Sequence, residues 1–362
     1  MAVSSKRSCL KKSVNKAILL SLIFFALGVH AVHGDEIKKD EGTLKGTIDS
    51  PQAESGTTIG QFNIENGFER FFFYTLYQIG GRTLTRGGVN YYHFPISELK
   101  FPLDVFMFYV DLNLNLLNRL TIHYGVHVNI DKQVGKMKDS DWVPFHKIKT
   151  IYSESDARLN AVFTEADMSV RLFTVSFFSL KLGAGFMHQY MNYWCSNVEQ
   201  ISAYDTSSPI YIGRPDYKKL LGKVITYKLN YYIFTLQVTP VFMVPIGKGT
   251  LEIIAAIRFS PYLKAKDIDD HILRGKISKN DSSGTALMPF LKLRYTFSSR
   301  IFMAAKLEYL YLTAKGEQNQ YYYNPFFDSS ANNIPGWSAR IKCKLKSEQL
   351  SISLGAGYSF EF

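Results

Sequence analysis

Long apolar runs are scarce in this 362-residue chain, and that scarcity removes one class at once. Beyond the N-terminal region no segment supplies the ~18 uninterrupted apolar residues of a membrane-spanning helix, so a helical membrane protein is excluded. Cysteine is sparse too: Cys9, Cys195 and Cys343 are too few for a disulfide scaffold, and their spacing makes no metal motif. One bridge between the last two, or none, stays open. Basic runs with interleaved aromatics are missing, which argues against nucleic acid as a partner. The glycine pairs Gly80-Gly81 and Gly87-Gly88 lack the strand–helix context of a phosphate-binding loop. There is no internal repeat and no sign of a second domain.

What is present begins with an export signal. Lys6, Arg7, Lys11, Lys12 and Lys16 precede an apolar stretch, Ala17–Leu27, the order of a secretory signal peptide over residues 1–34. Small residues at Ala31 and Gly34 offer two cleavage points. A short signal anchor is the rival reading. Loss of those five charges lowers the formal net charge of +11 to about +6, an ordinary excess. Residues 35–66 are charged and rich in Gly, Ser and Thr, as in a flexible periplasmic leader.

Aromatics are abundant: 27 Phe and 23 Tyr help make 15% of the chain, yet mean hydropathy is −0.07. Many aromatics, neutral hydropathy and an export signal together suit a transmembrane antiparallel β-barrel, one strand face meeting lipid and the other water. The last twelve residues settle the class. Ile352, Leu354, Ala356, Tyr358, Phe360 and Phe362 alternate with Ser, Gly and Glu, a period-two pattern without a break. Upstream, tight connections near residues 114–118, 174–177, 239–248 and 297–300 alternate with long polar ones at 80–97, 130–156, 192–221, 264–284 and 314–335. Four tight turns and five long loops predict about ten strands over residues 67–362, with the long loops extracellular. Segment 337–348 fits either an outward extension of the last strand or an extra hairpin. His123, His127 and His188 sit at strand positions that suit polar lumen fillers rather than ligands.

Two acidic clusters stand out: Asp139-Ser140-Asp141-Trp142 and Asp267-Ile268-Asp269-Asp270-His271. Each alone reads as a solvated loop tip. In the ten-strand register, however, both fall on the outer rim. Two carboxylates facing an Asp–His pair can hold and activate a water. Asp269 would orient His271 and favour its imidazolium, His271 would take the proton, and Asp139 would hold the water from the other side.

At these residues the chain resembles the omptin family, outer-membrane endopeptidases built on a ten-stranded barrel. Asp139-Ser-Asp141-Trp142 is similar to the family's Asp-x-Asp-Trp segment, and Asp267-Ile-Asp269-Asp270-His271 to its Asp-x-Asp-Glu-His segment. Gly80-Gly81-Arg82, Tyr227-Lys228 and Arg294-Tyr295-Thr296-Phe297 also run alike. The resemblance implies that Asp139 and Asp141 form the aspartate couple, that Asp269 and His271 form the acid–imidazole pair, and that no metal is used. It places Asp267 as an acidic specificity residue for cleavage beside basic side chains. The second such residue should stand where this chain has Phe72, with Glu69 as the nearest acid. Lipopolysaccharide is the activator the family implies, but the positions of its basic contacts read Asn230 and Gly185-Phe-Met-His188. The expected partners are therefore outer-membrane lipid, lipopolysaccharide, and peptide or protein substrates, on a monomeric barrel. A non-catalytic barrel, either a porin-like channel or an adhesin, is the alternative.

Overall fold

The structure is a computed structural model that describes residues 59–203, 216–297, 300–323 and 335–362. The signal segment 1–34 and most of the leader lie outside the described residues. Strand β1 (Gly60–Thr85) starts inside the stretch expected to be leader, so the 66/67 boundary moves to Gly60. The physical reason is the face assignment: Asn63, Glu65 and Glu69 are buried inward while Phe68 is exposed outward. Polar-in, apolar-out is how a barrel strand reads in lipid, and its charges made it look like a linker.

A short hairpin partner, β2 (Gly88–Tyr91), folds back on the outer end of β1. β3 (Ser97–Pro102) and β4 (Val105–Leu116) together make the next ring position, pairing the outer and inner parts of β1 respectively. The break follows Pro102, which has no N–H to donate to a ladder. β5 (Leu120–Asn129) and β6 (Gln133–Trp142) make the third position in the same way, flanked by β7 (Lys149–Val175). β8 (Phe178–Ser202), β9 (Asp216–Ile246), β10 (Gly249–His271), β11 (Lys276–Thr296), β12 (Ile301–Tyr322) and β13 (Gly336–Glu361) continue the meander. β13 pairs with β1 from Gln61↔Glu361 to Thr85↔Ala339. The ring thus has ten antiparallel positions and no open edge, the condition for crossing a bilayer with strands.

The stretches expected to be long loops are largely paired strand. Segments 133–142, 149–156, 192–202 and 264–271 extend the ladders well beyond the apolar belt. Above the membrane both faces of a strand can be polar, so composition there is loop-like although the backbone hydrogen bonds are satisfied by neighbours. Segment 337–348 is the outward half of β13. At the opposite end, Leu117, Asn118, Ser176 and Gly247 take left-handed backbone conformations in the tight turns the sequence announces. Residues 298–299 of the fourth tight turn lie outside the described residues.

Phe106, Ile122, Phe234, Leu236, Ile257, Leu291, Leu307 and Ile352 are exposed on the outer face and form the lipid-facing belt. Inside, two layers fill the ring. Nearer the tight turns is a charged lattice containing Glu65, Asp111, Glu165 and Arg258, all buried. Above it lies an apolar plug. Phe101 stacks flat on Tyr227 with ring centroids 4.3 Å apart, and Tyr193 closes on the same ring at 5.0 Å. Cys195 and Cys343 are buried and unbridged. Side chains occupy the interior, as expected for so narrow a barrel.

Candidate active site

Strand alternation presents residues 139 and 141 of β6, and 267, 269 and 271 of β10, to the inside of the ring. β6 and β10 stand on nearly opposite walls, four ring positions apart. Asp139, Asp141, Asp269 and His271 consequently line one cleft at the outer mouth. Tyr77 and Ile79 of β1 and Leu99 of β3 form its apolar floor and one side. Arg274, from the 3₁₀ turn Ile272–Arg274, and Lys276, opening β11, complete the opposite wall.

His271 Nε2 lies 2.8 Å from Asp269 Oδ2. With that nitrogen donating to the carboxylate, Nδ1 is the basic nitrogen, and the second oxygen, Asp269 Oδ1, has no hydrogen-bond partner among the described residues. Asp139 Oδ1 is likewise unpartnered among them. Burial first, and then the neighbouring Asp141 charge, push Asp139 well above the usual carboxylate range, while Arg274 and Lys276 pull it back. Burial also lowers the Lys276 ammonium.

The other site residues fall elsewhere. Asp267 points inward one step below Asp269, only 2% exposed, and accepts a 2.7 Å hydrogen bond from Asn280 Nδ2. It lies beneath the cleft rather than in its walls. Burial pushes its carboxyl up to about 8. Glu69 does not reach the rim at all: it sits on the inner half of β1, 2.6 Å from His127 Nδ1. Its three-residue offset from the expected position translates into about 10 Å along a strand, which is why an acid nearby in sequence cannot substitute. His188 is an even-numbered residue on β8, where Met187 and Gln189 are the buried positions. It therefore faces outward, not into the lumen. There its Nε2 lies 3.1 Å from Asn230 Oδ1, and the two side chains are bonded to each other.

Arg274 and Lys276 were missed by the sequence reading, which stopped at His271. The available signal was positional. Gly275, with a left-handed φ of 56°, reverses the chain and returns the next inward-facing residue, Lys276, opposite His271.

The pattern of the Omptin family matches residues 93–360, well over half of the chain and including both acidic segments. Among solved structures, the chain is similar to the outer membrane protease OmpT from Escherichia coli. The TM-score is 0.65 at 16% identity, covering 83% of this chain and 97% of that one. The translocator domain of the autotransporter NalP from Neisseria meningitidis aligns at a TM-score of 0.36 and 10% identity, covering 85% of this chain and 90% of that one. OprG from Pseudomonas aeruginosa gives 0.32 and 12%, with coverage of 85% and 99%. No curated protein matches the sequence. A ten-position barrel with the fold of OmpT and a family match across both acidic segments lead to one conclusion: the chain belongs to the omptin family of bacterial outer-membrane proteases.

Proposed function

We propose that this barrel is an endopeptidase that hydrolyses peptide bonds with a water molecule activated between Asp139 and His271. The observation that carries the reading is the shared cleft: four groups from two distant stretches of sequence converge on one mouth. His271 Nδ1 takes a proton from the water as the oxygen attacks the scissile carbonyl carbon, and Asp269 stabilises the imidazolium. Asp139, backed by Asp141, accepts the water's second hydrogen and sets its angle of attack. Arg274 and Lys276 stand where negative charge develops on the carbonyl oxygen. The imidazolium then protonates the leaving nitrogen, and the C–N bond breaks to give a carboxyl and an amine. No covalent enzyme intermediate is needed.

Incubation of the refolded protein with a peptide library, with and without lipopolysaccharide, tests the proposal. Cleavage is expected in both arms, because the positions of the family's basic lipid contacts hold His188 and Asn230 rather than Arg or Lys. Conductance in a planar bilayer is the companion measurement. The apolar plug around Phe101 and Tyr227 predicts no open-channel current. A steady ohmic current without cleavage would favour the porin-like alternative instead.

Asp267 gives specificity a pH dependence. At neutral pH its buried carboxyl, with a pKa near 8, is mostly protonated and attracts an Arg side chain weakly. Ionisation above that value adds the charge, so KM for Arg-containing peptides should fall between pH 7 and pH 9 in the parent and stay flat in Asp267→Asn. The stability sign runs the other way. The folded carboxyl binds its proton more tightly than the unfolded chain does, so Asp267 lowers stability progressively as pH rises from about 4 to about 8.

A further inference from the structure

The charged lattice below the plug contains an arrangement that peptide hydrolysis does not use. Gly125 of β5 is paired laterally with Asp111 of β4 and Glu165 of β7. His123 and His127 flank it, two residues away on either side and on the same inward face. A Cβ at Gly125 would stand 2.6 Å from Asp111 Oδ1 and 3.4 Å from Glu165 Oε1. Only a glycine lets the two carboxylates close in over β5, bringing together four groups able to bind a metal. His123 Nε2 is 3.5 Å from Asp111 Oδ1 and 3.8 Å from Glu165 Oε1. His127 Nε2 is 3.9 Å from the same Asp111 oxygen. Ligand atoms of Asp111, His127 and Glu165 all lie within 4.8 Å of one another.

The surroundings orient these atoms. His123 Nδ1 is 2.8 Å from Asp167 Oδ2, and His127 Nδ1 is 2.6 Å from Glu69 Oε2. Each imidazole thus donates its Nδ1–H to a carboxylate and turns Nε2 to the centre, the support that metal-bound histidines ordinarily have. Arg258 Nη1 donates to Glu165 Oε2 at 2.8 Å, leaving Oε1 for the centre. Asp111 is 6% exposed, and its Oδ1 has no hydrogen-bond partner among the described residues. Two imidazole nitrogens and two carboxylate oxygens converge in a buried space that needs positive charge, supplied either by protons on the imidazoles or by a metal ion. Glu69, Asp111, Glu165 and Asp167 contribute four carboxylates. Arg258 is the one fixed cation that forms an ion pair with any of them among the described residues, the nearby Lys306 being bonded to Glu308.

We propose that Asp111, His123, His127 and Glu165 bind one divalent transition-metal ion of the Zn²⁺ class over Gly125, tying β4, β5 and β7 together inside the barrel. Two imidazoles and two carboxylates suit Zn²⁺ and disfavour Mg²⁺ or Ca²⁺, which take oxygen ligands. Zn–N and Zn–O bonds of about 2.0–2.1 Å in a tetrahedron put ligand atoms roughly 3.3 Å apart. The 3.5, 3.8 and 3.9 Å spacings must contract slightly, and the widest, up to 4.8 Å, more, as the side chains close on the ion. Glu69, His127 and Glu165 also line a small interior pocket beside the centre.

The test is metal content. The refolded protein is stripped with a chelator, dialysed against Zn²⁺ or Co²⁺ and assayed by elemental analysis and visible absorption. The expected result is about one ion per chain and the d–d spectrum of tetrahedral Co²⁺. Asp111→Asn and His127→Asn should abolish both signals, and Glu69→Gln should weaken binding about 10–100-fold. His271→Asn should change neither. Heat-dependent gel mobility confirms that each variant has folded. A parent protein that takes up no stoichiometric ion overturns the proposal without recourse to any variant, leaving protons on the imidazoles as the counter-charge. Retention of the ion in Asp111→Asn, or its loss in His271→Asn, overturns it too, by moving the ion elsewhere. Neither result bears on peptide cleavage, which uses other residues.

Discussion

Peptide cleavage by His271→Ala falls roughly 10²–10⁴-fold, the usual worth of a positioned general base, while the barrel assembles as before. The side chain lies at the outer mouth, and among the described residues its one side-chain hydrogen bond is to Asp269. Removing it leaves the ladder pairs His271↔Lys276 and His271↔Ile225 intact, because these are backbone bonds. Asp139→Ala should lose activity on the same scale by releasing the other side of the water. Activity is measured as kcat on a peptide cleaved by the parent, and assembly by resistance of the folded band to unheated detergent. Two variants that cleave at the parent rate would falsify the catalytic assignment and leave the barrel standing. The double variant separates two independent residues from one unit: groups that grip a single water give losses far from additive.

Phe101→Ala has the second large effect, and it concerns stability. Phe101 is fully buried, stacked on Tyr227 and touched by Tyr193. Its truncation opens a hole in the middle of the plug, held apart by a closed ladder that cannot collapse to fill it. Loss of a buried phenyl ring under those conditions costs about 3–5 kcal/mol, read as a shift in the urea midpoint of refolding into detergent. Tyr227 also stands directly opposite Asp269 in the β9–β10 register, so loosening the plug should disturb the cleft floor as well. A midpoint shift below about 1 kcal/mol would mean the interior repacks and is not the rigid filling described here.

How much of this was legible beforehand differs between the backbone and the site. Period-two alternation at the C-terminus and the tight-turn spacing were enough for the class and the count of ten, since a strand in lipid must alternate and a closed sheet must pair its first and last strands. Asp139, Asp141, Asp269 and His271 stand out in the sequence as acidic clusters on one rim, but as loop residues; the ladders carry them on strands, where spacing at i and i+2 puts each set on one face. Arg274 and Lys276 were not legible, since a cation just past a turn looks solvated until the reversal at Gly275 is known. Glu69 was misplaced for a related reason: proximity in sequence says nothing about height in a barrel, where three residues span about 10 Å.

Residue pattern by itself determined that the chain is a barrel and which face of each strand meets lipid, because hydropathy is a local property of the strand and survives any error in register. Only the closed ring decided what meets what across the interior. It set β6 against β10 over the cleft, sent Glu69 to His127 instead of the rim, and gathered Asp111, His123, His127 and Glu165 around a glycine. Those meetings depend on the stagger of ten paired strands, a sum of long-range backbone hydrogen bonds that no single stretch of sequence contains.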